Sequence, residues 1–467
     1  MCTVAAVAIA AISIVGVTAG IATAAPRTPT ALSTASSLMA ARVAERSSAT
    51  PPVLVSRCLG QNAEVEDAAS ASLVYVEWIG CDGIGLARST DGGHHFGPAV
   101  ALPGSLPARC TAHGCAAYSW DPAIAISPGG VVYAAFMRQS GTGAAFPVVD
   151  VSINHGASFA PHQLPVAHSS DPKGNWGDRD FIAVAPNGTV YVTWDYGPSA
   201  SAIKIVCSPI GSCSFTGGDL NAVIQMSGNQ GKTWGPVHMI SPYFPYGGAD
   251  IAEPIVQPNG TIDVLFQAFP TDSVTHALSP GSEYFTRSSD AGVTWTAPRK
   301  IGGAVGTVSL AEWWIDGAIA TDSAGDLYAT WDTQSASHDV GWLSTSTNGG
   351  TTWSAPINVT PLSGTAEQLV EAAGVGKGLA DVAWQTPTPK GYATFVRPFS
   401  AKSGWLTKGA LRVSTAYGSA KVWPGDTFGI EALPIGTSTS HGRPIVLSWG
   451  SANNGRTSEI YSSVVTP

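Results

Sequence analysis

The sequence predicts an all-β fold, a seven-bladed β-propeller whose blades are four-stranded antiparallel sheets. Three observations predict it: a strand signature recurs seven times, a Gly-containing turn motif recurs five times, and the composition suits many short strands joined by tight turns. Among 467 residues there are 53 Gly and 33 Pro, and only 12% are charged. A chain of this length exceeds one ordinary core, but a repeat architecture lets each unit bury its surface against its neighbours.

The strand signature is an alternation of aliphatic and small residues that ends in an aromatic residue. Alternation with a period of two, carried by β-branched and aromatic side chains, is typical of a β-strand. Most copies follow a Gly-containing hairpin turn, and another short apolar strand precedes that turn. The seven copies are Leu73–Trp78, Val131–Phe136, Thr189–Trp194, Thr261–Phe266, Asp326–Trp331, Leu379–Trp384 and Pro444–Trp449.

The turn motif reads Ser-x-Asp-x-Gly-x-Thr-Trp, with Asn in place of Asp in three copies. The Asp or Asn oxygen is expected to accept backbone N–H groups within the turn, and Gly takes the left-handed conformation. These Asp and Asn residues are therefore predicted to be structural. The five copies are Ser89–Phe96, Ser152–Phe159, Ser227–Trp234, Ser288–Trp295 and Ser346–Trp353.

Seven units of four strands give seven blades, and the chain ends predict how the ring closes. The last unit, from about Thr427, provides three strands, and Pro52–Ser56 is predicted to add the fourth. Such a joint blade removes an open sheet edge. A six-bladed ring is the alternative, because the sixth and seventh units lack a clear copy of the turn motif.

The N-terminal region indicates export. Val4–Ala22 is an apolar run that ends in the small-residue pattern Ala22-Thr23-Ala24, so residues 1–24 are predicted to be a signal peptide. An uncleaved membrane anchor is the alternative, because no Lys or Arg precedes the run. Residues 25–51 are predicted to be a flexible stalk rich in Ala, Ser, Thr and Pro, and residues 52–467 the propeller of a secreted, extracellular protein.

Six cysteines follow the predicted signal peptide, and an even number in an exported chain indicates disulfides. The spacing favours short closures between Cys110 and Cys115 and between Cys207 and Cys213, which leaves Cys58 with Cys81. A zinc site is the weaker interpretation, because no Cys-x-x-Cys pair or His-x-x-x-His partner accompanies them.

Candidate site residues gather where the inner strands begin, on the face that we term the top. Propellers hold ligands at the centre of this face. Carboxylates there either cap loop amides or take part in chemistry, tryptophans pack or support sugar rings, and Arg179 between two aspartates forms an ion-pair network or contacts ligand. The candidate catalytic residues are Asp180, Glu253 and Asp316, and the candidate substrate-binding residues are Arg179, Arg138, Tyr196, Trp313, Trp314, Asp121 and Asp178.

The turn motifs, together with inner strands such as Asp178–Asp195, resemble the Asp-box (BNR) repeats of the sialidase-like superfamily, over Pro52 to Pro467. The resemblance implies the fold and not an activity. Sialidases of this family use a top-face arginine triad, a Tyr–Glu nucleophile and an Asp acid/base. This chain departs from them, since it lacks an Arg-Ile-Pro motif, places only Arg179 and Arg138 suitably, and has seven predicted blades where six are typical. No catalytic set is carried over.

Two functions of different classes follow. The first is a glycoside hydrolase, exo-sialidase-like or acting on another extracellular polysaccharide, with two top-face carboxylates such as Asp180 and Glu253 or Asp316 as acid and as nucleophile or base. The second is a non-catalytic propeller that binds a glycan or a protein. Carboxylates facing each other about 5–10 Å apart would favour hydrolysis, whereas carboxylates bonded to loop amides would favour binding.

The composition and the resemblance also set expectations for partners. A net charge of −9 without a run of Lys or Arg argues against nucleic acid, since phosphate-backbone binding needs a basic stripe. An extracellular glycan or polysaccharide is the expected partner of a monomer. No cofactor is expected, apart from a structural calcium ion that the Asp178–Asp180 cluster could hold.

Overall fold

A computed structural model describes residues 48–466, with gaps at 59, 108, 112–113, 117, 141–143, 167–168, 208–212, 242–247, 270–280, 303–316, 335–338, 361–367, 420, 423 and 435–441. The predicted signal peptide and most of the predicted stalk lie outside the described residues. The described part of the chain forms strands and turns, and it contains no helix long and apolar enough to cross a membrane.

The first half of the chain builds three blades after two short strands, β1 (Ser48–Ala49) and β2 (Val53–Leu54). Blade 1 comprises β3 (Ala63–Ser70), β4 (Leu73–Gly80), β5 (Gly83–Ser89) and β6 (Val100–Ala101), and the hairpin β7 (Arg109–Thr111) and β8 (Gly114–Ala116) follows it. Blade 2 comprises β9 (Ser119–Ile126), β10 (Val132–Gln139), β11 (Ala145–Ser152) and β12 (Ala160–Gln163). Blade 3 comprises β13 (Trp176–Val184), β14 (Val190–Gly197), β17 (Asn221–Ser227) and β18 (His238–Met239), with the hairpin β15 (Lys204–Cys207) and β16 (Cys213–Gly217) inserted between β14 and β17.

The second half builds four blades on the same plan. Blade 4 comprises β19 (Gly248–Val256), β20 (Ile262–Phe269), β21 (Ser282–Ser288) and β22 (Arg299–Lys300), and blade 5 comprises β23 (Ala318–Thr321), β24 (Leu327–Gln334), β25 (Asp339–Ser346) and β26 (Ile357–Asn358). Blade 6 comprises β27 (Leu369–Gly376), β28 (Leu379–Thr388), β29 (Gly391–Ser400), β30 (Gly404–Trp405) and β31 (Leu411–Arg412). Blade 7 comprises β32 (Gly429–Ala432), β33 (Ile445–Ser451), β34 (Glu459–Thr466), β1 and β2. Seven such sheets confirm the predicted propeller.

The ring closes in blade 7, as the sequence predicts. Strand β34 pairs with β2 in the register Val53 to Ser462 and Leu54 to Tyr461, and it also pairs with β1. One apolar cluster joins this seam to its neighbours, since it contains Trp78 of blade 1, Trp449 of blade 7 and Val396 of blade 6. The strands from the two ends of the chain therefore belong to one sheet, and this apolar cluster packs that sheet against blades 1 and 6.

The Cys58–Cys81 disulfide ties the segment after β2 to the β4–β5 turn and confirms the predicted pairing. Cys110 lies opposite Cys115 in the β7–β8 register, and Cys207 opposite Cys213 in β15–β16. These positions suit the two predicted short closures, whose sulfur atoms lie outside the described side chains.

The signature aromatic residues form the core between blades. All seven expose at most 6% of their surface, and Trp78, Trp194, Trp331 and Trp449 are among the largest fully buried side chains. Burying one large apolar side chain contributes about 1.5–3 kcal/mol relative to leaving it exposed. One such residue in every blade stabilises the stack of sheets around the ring.

The five Asp-box turns share one hydrogen-bond arrangement. In the blade 3 copy, Ser227 Oγ accepts from the Gly231 N–H (2.9 Å) and donates to Asn229 Oδ1 (3.0 Å), which accepts from the Thr233 N–H (2.9 Å). The copies at Ser89, Ser152, Ser288 and Ser346 repeat these contacts whether Asp or Asn is present. The motif therefore works as a self-capped turn, in which the side-chain oxygen is required and its charge is not.

This arrangement predicts how the Asn229 turn responds to substitution. Asn229→Ala removes the oxygen that accepts the Thr233 amide, and we expect it to lower the free energy of unfolding by about 1 kcal/mol, as loss of a capping side chain does. Asn229→Asp keeps that oxygen and should leave stability close to wild type. Urea unfolding of both variants checks this, and equal losses would contradict the role given to the side-chain oxygen.

Candidate functional site

The seven inner strands enclose a central channel of about 420 Å³. Its charged lining residues are the carboxylates Glu66, Asp67, Glu253, Glu371 and Glu431, and no Lys, Arg or His is among its described lining residues. Burial raises the pKa of Glu253 to about 8 and that of Glu431 to about 7. Burial therefore favours the protonated forms of Glu253 and Glu431 in the channel near neutral pH.

A β-bulge opens the top end of four inner strands. In each one the residue register shifts opposite the signature aromatic residue of the neighbouring strand. The bulged residues have positive φ angles although none is glycine: Glu64 (46°), Asp121 (51°), Arg179 (51°) and Ile251 (52°). Holding a non-glycine residue in this region costs of order 1–2 kcal/mol. The bulge therefore persists against an intrinsic backbone preference in four successive blades.

Carboxylates also join successive blades. Each accepts a hydrogen bond from a backbone N–H that lies within the next inner strand or just before it. Six junctions show this contact: Glu64 with the Asp121 N–H (3.3 Å), Asp121 with Arg179 (2.6 Å), Asp195 with Ile251 (3.1 Å), Glu253 with Ile319 (2.7 Å), Asp339 with Gln368 (2.8 Å) and Glu371 with Phe428 (3.3 Å). The capping interpretation of the top-face carboxylates is thus correct for these residues, which leaves open whether any has a second role.

Arg179 is the basic residue at the centre of this top-face network. Its Nη2 donates to Asp426 Oδ2 at 2.6 Å, and both side chains are only 6% exposed. Beside it, Asp178 Oδ1 accepts from Trp120 Nε1 at 2.5 Å. We term Glu64, Asp121, Asp178, Arg179 and Asp426 the Arg179 cluster. It joins blades 1, 2 and 3 to the segment that precedes blade 7.

Acids outnumber the base in the Arg179 cluster, and their pKa values respond. Burial raises the pKa of Glu64 well above its usual range, Asp426 and Asp121 raise it further, and Arg179 opposes the rise. Burial also raises the pKa of Asp121, with Asp178 adding to the effect and Arg179 opposing it. The cluster therefore places an acid with a raised pKa, Glu64, beside the ion pair between Arg179 and Asp426.

A second acid pair lies next to the cluster. Burial raises the pKa of Asp195 and of Asp250, and the charge of Asp250 raises that of Asp195 further. Asp178 adds to the rise in the pKa of both acids, and Arg179 opposes it. The Arg179 cluster therefore acts electrostatically on the Asp195 and Asp250 carboxyls. The single guanidinium thus acts on acids from several blades.

The predicted site residues do not all come together in one place. Asp121, Asp178 and Arg179 come together in the Arg179 cluster, and Tyr196 is half-buried on β14, where it pairs with Gly177. Glu253 lies in the channel. Asp316, Trp313 and Trp314 lie outside the described residues, so their roles stay predictions.

Asp180 is buried and Arg138 is half-buried between blades. Burial raises the pKa of Asp180, whose neighbours include Asp178 and the Met137 amide, and Asp180 in turn raises the pKa of buried Glu77 on β4. Arg138 Nη1 donates to the Gly104 carbonyl at 3.1 Å and lies near Asp150, whose pKa burial raises to about 6. Their predicted roles in catalysis and binding are not tested by these contacts.

Two features of the site were missed by sequence reasoning. The positive φ angles fall on Glu64, Asp121, Arg179 and Ile251, and among these residue types only Asp is enriched in the left-handed conformation. The Arg179–Asp426 pair joins residues 247 positions apart, so no local motif marks it. For calcium, no group of three or more His, Cys, Asp or Glu in the described part of the chain is arranged to hold a metal ion, and the calcium expectation stays a prediction.

Comparisons with known proteins show the fold. No family model and no curated protein matches the chain. An ulvan lyase solved with a -[GlcA(1-4)Rha3S]- saccharide is 10% identical, with a TM-score of 0.54 over 89% of this chain and 95% of its own. A Hadza microbial sialidase (12%, TM-score 0.47, 84% and 75%) and the NanB sialidase from Streptococcus pneumoniae (10%, 0.47, 84% and 83%) also match. The match with the ulvan lyase extends over most of both chains and supports the predicted propeller fold.

The buried acids predict an unusual pH dependence. Glu283 on β21 is fully buried, and burial raises its pKa to about 8 from 4.5. Between these values the folded chain binds the proton that the unfolded chain has released, so the free energy of unfolding falls as pH rises. Glu283→Gln mimics the neutral acid and should flatten this decline.

Urea unfolding between pH 4.5 and 8.5 checks the prediction. Asp290→Asn is the matched control, because hydrogen bonds hold the pKa of Asp290 at about 2, outside the tested range. Identical pH slopes for the wild type and Glu283→Gln would contradict a protonated Glu283.

Proposed function

We propose that the chain acts on extracellular carbohydrate at the Arg179 cluster and hydrolyses a glycosidic bond there. The observation that carries the proposal is the buried Arg179 at a positive φ angle, ion-paired to Asp426 and next to protonated Glu64. Strained non-glycine residues cluster at functional sites, because the surrounding structure holds them for their side chains. The Cys58–Cys81 disulfide supports an oxidising, extracellular location.

Aromatic side chains beside the cluster support a sugar as the ligand. Trp120 and Trp176 are half-buried at the start of β9 and β13, and Tyr196 is half-buried on β14. Flat rings next to fixed carboxylates and a guanidinium offer a stacking face and hydrogen-bond partners for hydroxyl groups, as saccharide sites require. Trp120 is itself fixed by its hydrogen bond to Asp178.

Hydrolysis requires one acid that is protonated near neutral pH and one carboxylate. Glu64 fits the first role, since burial and neighbouring acids keep its proton on. Asp426 fits the second, because it is ion-paired with Arg179. In this proposal Glu64 protonates the leaving oxygen as the glycosidic bond breaks, and Asp426 stabilises the positive charge that develops on the sugar. Water then adds to the anomeric carbon and gives its proton to the Glu64 carboxylate.

A non-catalytic glycan-binding propeller is the second candidate. The observation that favours it is that six carboxylates near the axis already accept backbone amides of the next blade. Carboxylates committed to such bonds are less available as acids or bases. The two candidates share the same face and differ in whether a bond is cleaved.

The decisive variant is Glu64→Gln, which keeps an oxygen for the Asp121 amide and cannot donate a catalytic proton. On a panel of fluorogenic glycosides that includes sialosides, we expect kcat/KM to fall by about 100-fold or more on the hydrolysed substrate. Glu431→Gln is the matched control, since it also removes a buried acid, with a pKa of about 7, from the channel. It should retain activity.

Two outcomes would overturn the proposal. Full activity of Glu64→Gln would exclude Glu64 as the acid. Absence of turnover on every glycoside, from folded protein that still retains a glycan or cell-wall fraction, would establish the binding propeller.

A further inference from the structure

The basic residues of the chain are concentrated on blade 6. Of 23 Lys and Arg residues, seven lie between positions 377 and 421, where Asp381 is the one acidic residue, although the whole chain has a net charge of −9. Asp381 is fully buried. Lys377 lies near the Asp326 carboxyl on the neighbouring blade and opposes the rise in the pKa of Asp326 that burial causes. Lys377 therefore has an acidic neighbour.

The other six cations follow the outer half of blade 6, from the β28–β29 turn to the segment after β31. We term this surface the blade-6 rim, and it comprises Lys390, Arg397, Lys402, Lys408, Arg412 and Lys421. All are exposed except Arg397, which is half-buried. Strand β29 has ten residues, so the rim extends over about 30 Å. Blade 6 also lacks a clear Asp-box.

Within the described residues, none of the six cations forms an ion pair with a carboxylate. The arginines of the rim are held by neutral groups instead. Arg397 donates to the Thr407 carbonyl, and Arg412 donates to the carbonyls of Ser414 (2.7 Å) and Thr415 (2.8 Å). Their positions are fixed while their charge is left uncompensated.

Two cations share one ring at the upper end of the rim. Arg412 Cζ lies 4.6 Å and Lys390 Nζ 5.5 Å from the centroid of the Tyr417 ring. Lower down, Arg397 Cζ lies 4.6 Å from the Trp405 centroid. Two like charges on one ring repel each other, and a bound anion between them would relieve that repulsion.

We infer that the blade-6 rim binds an anionic polysaccharide, a linear chain whose sulfate or carboxylate groups pair with successive cations. Six unpaired cations along one blade of an acidic protein, two of them held in place by hydrogen bonds, give a polyanion a local attraction that the rest of the surface opposes. Release of counterions from the polymer adds to the affinity and makes it depend on salt. This inference does not rest on the function proposed for the Arg179 cluster.

The aromatic residues favour a polysaccharide over single-stranded nucleic acid. Proteins that bind single strands stack bases on open aromatic faces. Here cations already lie over Trp405 and Tyr417, at 4.6 Å in each case for the arginine. The rim therefore offers charge along its length and few free stacking faces.

Binding of fluorescein-labelled dextran sulfate and polygalacturonate to the full secreted chain tests the inference, with neutral dextran as blank. We expect the double variant Lys390→Gln/Arg412→Gln to bind about tenfold more weakly near 0.1 M NaCl, and its salt slope to fall by about 2. The exposed pair Lys402→Gln/Lys408→Gln should weaken binding in the same direction without any effect on folding. Lys173→Gln/Lys232→Gln, an equally exposed pair on blade 3 with the same charge change, should bind as the wild type does.

Three results would overturn the inference. They are no binding of either polyanion by the wild type near 0.05 M NaCl, equal losses in the rim variants and the blade 3 control, and tighter binding of single-stranded DNA than of both polysaccharides. Binding of only one polyanion supports the inference and identifies whether sulfate or carboxylate is recognised. Glycosidase activity is a separate readout, and its failure would not affect these results.

Discussion

The structure depends on the backbone amides at the tops of the inner strands. Each amide lies at a junction between sheets that share no strand hydrogen bonds, and a buried amide without a partner costs about as much as a lost hydrogen bond. At six junctions a carboxylate from the preceding blade accepts it. These contacts fix the angular spacing of the blades near the axis, while the signature aromatic residues fill the space farther out.

The same contacts explain why the centre of the molecule is acidic. A carboxylate that reaches the next blade at this radius is buried, and burial favours its neutral form. Blades 3 and 4 depart from the pattern of blades 1 and 2, because their bulged residues are Arg179 and Ile251 and not acids. The backbone N–H of Ile251 in blade 4 donates to Asp195 on β14 instead. The Arg179 side chain instead pairs with Asp426 near blade 7. The junction between blades 3 and 4 does not require this contact.

The fold was predictable because its signals are local. Alternation in Leu73–Trp78 and its six equivalents, hairpin turns such as Pro186-Asn-Gly188, and the Asp-box side chains each act within a few residues. The site was predictable only in part. Asp178, Arg179 and Asp180 look like one unit in the sequence, but the bulge separates them, so that Asp180 influences Glu77 while Arg179 bonds Asp426. Neither a bulge at a non-glycine residue nor a contact across the ring leaves a local pattern.

In a repeat protein every unit meets the same structural demands, so a departure from the repeat that stability does not require is informative. Two departures stand out. An arginine replaces an acid at the bulge of blade 3, and blade 6 replaces the Asp-box with an outer edge that carries unpaired cations. The first concentrates charge at the axis and the second at the circumference. Because the contacts between adjacent blades require neither, both are better explained by what the molecule binds than by what the fold needs.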